Sequence, residues 1–198
     1  MTAEENRKFM KDFFERYYIK RKSLHDLCVS GVAIPDEMLA DGADPNKELN
    51  IWKLTKSVVT EEDINKIEMK LNIKLPECIK AFFSVYHHRF EDPVGRNDIR
   101  NPFYDLERAY THHLADNGYL PFGWDGESIF IRCIDLSNIP NEEKCPVLEI
   151  DHEYFFDLQF AAEDKGILVP KEQLEPLFSK VADNFYEYLN GIYNDVIE

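Results

Sequence analysis

The fold is decided by the stretch YLPFGWDGESIFI, residues 119–131. Two short apolar runs stand here on either side of the pair Asp125-Gly126. An aspartate followed by a glycine is typical of a tight turn, because glycine tolerates a positive φ. Apolar runs joined by such a pair predict a β-hairpin. We expect the acidic side chains of Asp125 and Glu127 to form the turn and face solvent rather than to be catalytic.

Further strands are expected after the hairpin turn. The predicted strands cover residues 119–122, 128–135, 146–152 and 154–160. Consecutive strands with short connections favour an antiparallel sheet. The expected fold class is therefore α+β, with a central, mainly antiparallel β-sheet flanked by helices.

Two adjoining helices precede the hairpin. Thr60 is expected to cap the first of them together with Asp63, and this helix should end near Asn72. Pro76 is placed to open the second helix, because proline at the first helical position loses no needed hydrogen-bond donor. The apolar residues of the pair recur at helical spacing and are Ile64, Ile67, Leu71, Ile79, Phe82, Phe83 and Tyr86.

Helices are also expected elsewhere along the chain. We expect helices over residues 3–30 and 104–115. Residues 30–50 are expected to form a loop with one helical turn near residues 35–40. The last helix is predicted to begin near Pro170 or Leu174. Its apolar stripe is Leu177, Val181, Phe185, Leu189 and Ile192. We therefore divide the chain into a helical N-terminal extension with a loop, residues 1–50, and an α+β domain, residues 51–198. The large aromatic residues assigned to the core are Trp52, Phe82, Phe122 and Phe185.

Net charge is the unusual feature of the composition. The 198 residues include 23 Lys and Arg and 38 Asp and Glu, which gives a net charge of −15. A negative surface repels phosphate backbones and anionic lipids, so neither nucleic acid nor a membrane is the expected partner. The same field attracts a basic protein. The alternative explanation is that the charge serves solubility alone.

The four cysteines are scattered, and no two of them form a C-x-x-C pair. Cys28 and Cys78 fall in predicted helices, Cys133 in a predicted strand, and Cys145 just before another. Free cysteines of this kind are typical of core thiols in a reducing cytosol. The N-terminal region has no basic segment followed by an apolar one, and no window approaches 18 apolar residues. We expect a cytoplasmic protein without a cofactor.

The histidines do not form a recognisable metal motif. Adjacent residues such as His87-His88 and His112-His113 point about 100° apart on a helix and cannot easily chelate one ion. No His–Cys spacing of the zinc kind is present either. We therefore predict structural or surface histidines and no metal site.

Acidic residues alternate along residues 149–153, at the end of the third predicted strand. Glu149, Asp151 and Glu153 would share one face of that strand. Paired carboxylates are used for acid–base catalysis and cation binding, but the solvated face of a sheet has the same pattern. The sequence contains no G-x-S-x-G motif and no glycine-rich phosphate loop. No catalytic residue is predicted.

An ordered set of motifs resembles a known family. The set comprises Trp52, the capped helix with Glu68, Leu75-Pro76 before Phe82-Phe83, Leu120-Pro121-Phe122-Gly123 with Asp125-Gly126, Pro146-Val147 with Ile150-Asp151, and Phe185 with Tyr188-Leu189. In order and spacing, over residues 51–192, the chain resembles the SUKH superfamily of immunity proteins, which also includes yeast cell-wall-synthesis regulators. The chain departs from the pattern at His87-His88, close to where many members carry Asn-Gly, and this leaves the toxin class open.

The resemblance implies a bacterial protein that is not an enzyme. Such proteins bind and neutralise a cognate toxin, often a nuclease, of a contact-dependent or polymorphic toxin system. A basic toxin would suit the net charge of this chain. The residues expected to hold it are Trp124 as an aromatic anchor and the acidic Asp125, Glu127, Glu149, Asp151 and Glu153. For Trp124 the alternative is a half-buried side chain beside the turn.

Two other functions stay open at this point. One is a regulatory scaffold of the same fold that binds cellular partners. The other is a metal-dependent hydrolase that uses the histidine and carboxylate clusters. The sequence leaves the oligomeric state open.

Overall fold

The computed structural model describes residues 1–30, 34–44 and 49–195. The helices are α1 (Ala3–Ser23), α2 (Glu61–Leu71), α3 (Glu77–Val85), α4 (Tyr104–Ala109), α5 (His112–Ala115), α6 (His152–Glu163), α7 (Lys171–Leu174) and α8 (Phe185–Asp195). The strands are β1 (Cys28–Ser30), β2 (Leu49–Ile51), β3 (Thr55–Lys56), β4 (Tyr86–His87), β5 (Tyr119–Trp124), β6 (Phe130–Asp135), β7 (Val147–Asp151) and β8 (Phe178–Ala182). Short 3₁₀ turns lie at Asp36–Met38, Leu136–Asn138, Glu142–Lys144 and Glu175–Leu177.

The central sheet is an antiparallel meander in the order β5-β6-β7-β8. Its first two strands form the predicted hairpin, with a bulge between Pro121 and Gly123. Two small antiparallel pairs, β1 with β2 and β3 with β4, accompany this sheet. The predicted α+β class with a mainly antiparallel sheet is confirmed.

Both faces of the central sheet are covered. Side chains alternate along each strand, so neighbouring residues enter different apolar clusters. The larger cluster takes Leu120, Ile134 and Val147 from the sheet together with buried side chains of α1, α2, α3 and α8. The smaller cluster takes Ile131, Cys133 and Ile150 together with Leu114, Phe155, Ala162 and Leu174 from α5, α6 and α7.

Local signals explain the helices α2 and α3. The Thr60 hydroxyl accepts a hydrogen bond from the Asp63 N–H, and the Asp63 carboxylate accepts one from the Thr60 N–H, which confirms the predicted capping box. Helix α2 ends at Asn72, whose φ of 51° is left-handed. Pro76 is the residue just before α3 rather than its first residue. Trp52, Phe82 and Phe185 are buried as predicted, and Phe122 packs half-buried against them in the larger cluster.

Helix α1 belongs to the larger cluster although it lies in the predicted extension of residues 1–50. Its side chains Phe13, Phe14 and Tyr17 are buried, and the ring of Phe14 lies 5.2 Å from that of Phe82 on α3. The helix ends at Ser23 rather than near residue 30. The division of the chain at residue 50 stays a prediction.

The described parts of the segment between α1 and the main body contain regular structure. The predicted helical turn is present as a 3₁₀ turn at Asp36–Met38, and β1 and β2 occupy its two ends. Cys28 was expected in a helix among core thiols, but it lies in β1 and is exposed, whereas the other three cysteines are buried. The parts of the predicted loop at residues 31–33 and 45–48 lie outside the described residues.

Residues 154–160 were predicted as a strand, and this is wrong. They belong to α6, which begins directly after β7 because the Asp151 carboxylate accepts a hydrogen bond from the Glu153 N–H at 2.8 Å and caps the helix. Short apolar runs do not distinguish strand from buried helix by themselves. The predicted helix at 104–115 is divided into α4 and α5.

The last predicted helix is also partly wrong. Pro176 interrupts the pattern, since proline has no N–H to donate within a helix. Residues 178–182 instead form β8, which pairs with β7, and the helix α8 begins only at Phe185. Of the predicted stripe, Phe185, Leu189 and Ile192 are buried on α8, whereas Val181 is an exposed strand residue.

Candidate partner-binding surface

Asp125 fastens the tip of the β5–β6 hairpin. Its Oδ1 accepts hydrogen bonds from the N–H groups of Ile129 at 2.7 Å and Phe130 at 2.8 Å, and Oδ2 accepts one from Glu127 at 3.3 Å. Asp125 is 9% exposed, so its carboxylate faces the turn rather than a partner. The positive φ was expected at Gly126, but the residue with φ of 57° is Ser128. Glu127, at the tip, is exposed.

Trp124 is half-buried beside the turn. This is the alternative that the sequence left open beside a fully exposed aromatic anchor. The Arg108 guanidinium lies 5.8 Å from the centre of its indole ring. The centre of the His152 ring, at the start of α6, lies 5.7 Å from the centre of the same indole ring. Its Nε1–H is buried and has no hydrogen-bond partner among the described residues. Trp124 therefore links the hairpin to the start of α6 and leaves only part of its ring for a partner.

The three acids of the third predicted strand do not share one face. Glu149 lies opposite Arg132 in the β6–β7 register and forms an ion pair with it on the sheet face that packs against the larger cluster. Asp151 caps α6, and Glu153 is an exposed residue of that helix. The expectation of a single acidic face fails because the strand ends at Asp151. The structure brings Trp124, Asp125, Glu127 and Asp151 to one end of the sheet, and Glu149 lies two residues farther along β7, where it is paired with Arg132.

Helix α6 carries surface residues that the strand prediction concealed. Tyr154 and Phe160 are 64% and 61% exposed. The intervening Asp157 is exposed too. The sequence does indicate an acidic surface here, since residues 145–164 contain six Asp and Glu and no Lys or Arg.

Residues 58–191 match the model of the SMI1 / KNR4 family (SUKH-1). The chain belongs to this family. No curated protein matches the chain. The SUKH family consists in general of non-catalytic immunity proteins, and an immunity role fits this chain.

The negative charge of this SUKH chain is concentrated in its second part. Residues 110–198 contain 5 Lys and Arg against 18 Asp and Glu, a net charge of −13, whereas residues 1–109 contain 18 against 20, a net charge of −2. The central sheet, the hairpin tip and α6 all lie in the second part. Solubility alone does not require such an uneven distribution.

The histidines are distributed among separate environments. His87 and His88 are buried near α3, His113 is buried against Val169, and His152 donates from Nδ1–H to the Ile129 carbonyl at 2.6 Å. Across the described ranges, no group of three or more His, Cys, Asp or Glu side chains is arranged to hold a metal ion. The same ranges contain no helix that is long and apolar enough to cross a bilayer.

Proposed function

We propose that this chain is an immunity protein that binds a cognate bacterial toxin, of a basic nuclease type, and neutralises it by stoichiometric binding. Membership of the SUKH family supports the immunity role. The observation that carries the choice of a basic partner is the net charge of −13 over residues 110–198. A nuclease cleft is basic because it holds phosphates, so an acidic inhibitor is electrostatically complementary to it.

The candidate residues divide into two roles. Glu127 and Glu153 are exposed and contact the toxin together with the free part of the Trp124 ring. Asp125 and Asp151 accept internal hydrogen bonds that shape the hairpin tip and the start of α6. They contribute to the potential that speeds encounter, without direct contact with the toxin being required, whereas the charge of Glu149 is offset by its ion pair with Arg132.

The experiment is co-expression with each neighbouring gene product that arrests growth when expressed alone. We expect one such toxin to be neutralised and to form a one-to-one complex with this chain. Absence of both rescue and complex for every neighbouring toxin would refute the immunity role and favour a regulatory scaffold.

The electrostatic part has its own test. Reversing the exposed charges in the double variant Glu127→Lys, Glu153→Lys should slow association with the toxin and weaken the salt dependence of the on-rate. The double variant Glu4→Lys, Asp12→Lys on α1 is the control, since it reverses the same number of exposed charges on a helix that packs in the other cluster. An on-rate that falls equally in the double variant and the control would show that overall charge, and not this surface, steers the toxin.

A further inference from the structure

Helix α6 has large apolar side chains on both of its sides. Phe155 and Ala162 are buried against the central sheet. Tyr154 and Phe160 point away from it and are 64% and 61% exposed. A helix on a protein surface normally keeps its outer side polar, and one that is apolar on all sides is normally covered. The outer side of α6 is therefore unusual for a surface that meets only water.

Of the two exposed aromatic residues, Phe160 continues an aromatic row from the hairpin. The row runs Trp124, His152, Phe156 and Phe160, with ring centres 5.7, 5.5 and 6.3 Å apart in that order. His152, Phe156 and Phe160 are four residues apart and so lie along one side of the helix. Beyond the end of α6, Ile167 and Leu168 are 52% and 42% exposed. The row thus begins half-buried at the hairpin and becomes exposed along the helix.

Acidic residues border this row, and the nearest basic residues in sequence are Lys144 and Lys165 at the two ends of the acidic segment. Glu153, Asp157, Glu163 and Asp164 are exposed, and residues 145–164 contain no Lys or Arg. Interface cores combine aromatic residues with a polar rim, and charge on the rim selects the partner. The combination fits a partner whose surface offers an apolar recess surrounded by Lys and Arg.

We propose that the outer side of α6, formed by Tyr154, Asp157 and Phe160, is the surface on which the toxin docks. This inference rests on the proposed function and adds the location of the interface and the chemistry of the toxin surface, a basic rim around an apolar recess. A second copy of this chain is a poor occupant, because each copy carries a net charge of −15 and the acidic residues of two α6 helices would face each other.

The test uses the full chain and, as the probe, the toxin identified by co-expression in a catalytically inactive form. Phe160→Gln and Tyr154→Gln should each raise Kd by roughly 30-fold, the effect of losing an interface hot spot of about 2 kcal/mol. Asp157→Lys should reduce the on-rate and its salt dependence. Met69→Gln on α2 is the control, since Met69 is 74% exposed and loses comparable apolar surface far from α6 in the chain. All variants should melt like the wild type, because exposed positions rarely change stability.

Each result decides between separate claims. If the wild type neutralises the toxin and the α6 variants bind it as tightly as Met69→Gln, the docking surface is wrong and the immunity role stands. If no toxin is bound by the wild type, both proposals fail. If light scattering shows a dimer that Phe160→Gln dissolves, the occupant is a second copy, and the proposed toxin surface is refuted.

Discussion

His88 is a buried titratable group whose removal should change how stability depends on pH. Its ring is fully buried among Phe14, Phe82 and Phe90, with ring centres 4.5, 5.4 and 5.1 Å away. Neither ring nitrogen has a hydrogen-bond partner among the described residues. Burial, with a smaller contribution from His87, lowers the pKa of His88 from 6.5 to about 3. The folded protein therefore holds this imidazole neutral at mildly acidic pH.

The direction of the effect follows from the depressed pKa. The unfolded chain takes up a proton near pH 6.5 and the folded protein does not, so stability is complete above that pH and is lost as the pH falls toward 3. At pH 5 the unfolded histidine is almost fully protonated and the folded one is not. This difference costs roughly 2 kcal/mol of unfolding free energy relative to pH 7.5. His88→Leu removes the titrating group and places a side chain of similar size in an aromatic surrounding.

The assay is urea unfolding of wild type and His88→Leu at pH 7.5 and pH 5. We expect the wild type to lose about 2 kcal/mol more than the variant between the two pH values. His25→Asn is the control, because it removes an exposed imidazole, and asparagine tolerates the φ of 58° at that position. This control should follow the wild type. Equal losses in wild type and His88→Leu would refute a buried neutral imidazole at position 88.

Three further results are expected. Asp125→Ala should lower the unfolding free energy by about 1 kcal/mol in urea, since the part-buried N–H groups of Ile129 and Phe130 lose their acceptor. Asp125→Asn keeps one acceptor oxygen and should lower it less, and equal losses would count against the turn role. Burial acts to raise the pKa of Glu68, but hydrogen bonds from Lys74 and the Leu75 N–H and the charge of Lys80 outweigh it and hold the pKa below the usual 4.5. Its stabilisation is complete above pH 4.5 and is lost as the pH falls through the folded pKa, so Glu68→Gln should flatten the acid limb of the stability curve, and an unchanged limb would contradict this. A thiol reagent should label Cys28 in the native protein and the buried cysteines only after unfolding, as measured by mass spectrometry; rapid labelling of more than one thiol would contradict the described burial.

Prediction from the sequence succeeded where the deciding signal is local. The pair Asp125-Gly126 predicted the hairpin, and Thr60 with Asp63 predicted the start of α2; both are confirmed. Residues 178–182 were wrongly assigned to a helix because the apolar residues there recur at spacings of four. Pro176 argues against a continuous helix through this stretch, and the prediction did not take it into account. Residues 178–182 form a strand because they pair with β7. A contact with a distant strand cannot be inferred from the local sequence of one segment.

The candidate surface was predictable only in part. The turn role of Asp125 followed from its type and position. The exposure of Tyr154 and Phe160 did not, because it depends on which side of α6 the sheet covers. Glu153 was separated from Glu149 and Asp151 by the start of α6 directly after Asp151, which the alternating pattern alone does not reveal.

The small number of buried residues in α6 has a practical consequence for redesign. Of its twelve residues, only Phe155 and Ala162 are buried. Phe156 and Leu158 pack half-buried against the same cluster, and His152 donates to the Ile129 carbonyl. Only the exposed positions can therefore be varied freely, since surface substitutions change stability little. If the proposed docking of a toxin on α6 holds, a library randomised at the exposed positions of this one helix would sample new specificities on an unchanged scaffold, and selection for survival against a foreign toxin would recover the useful variants.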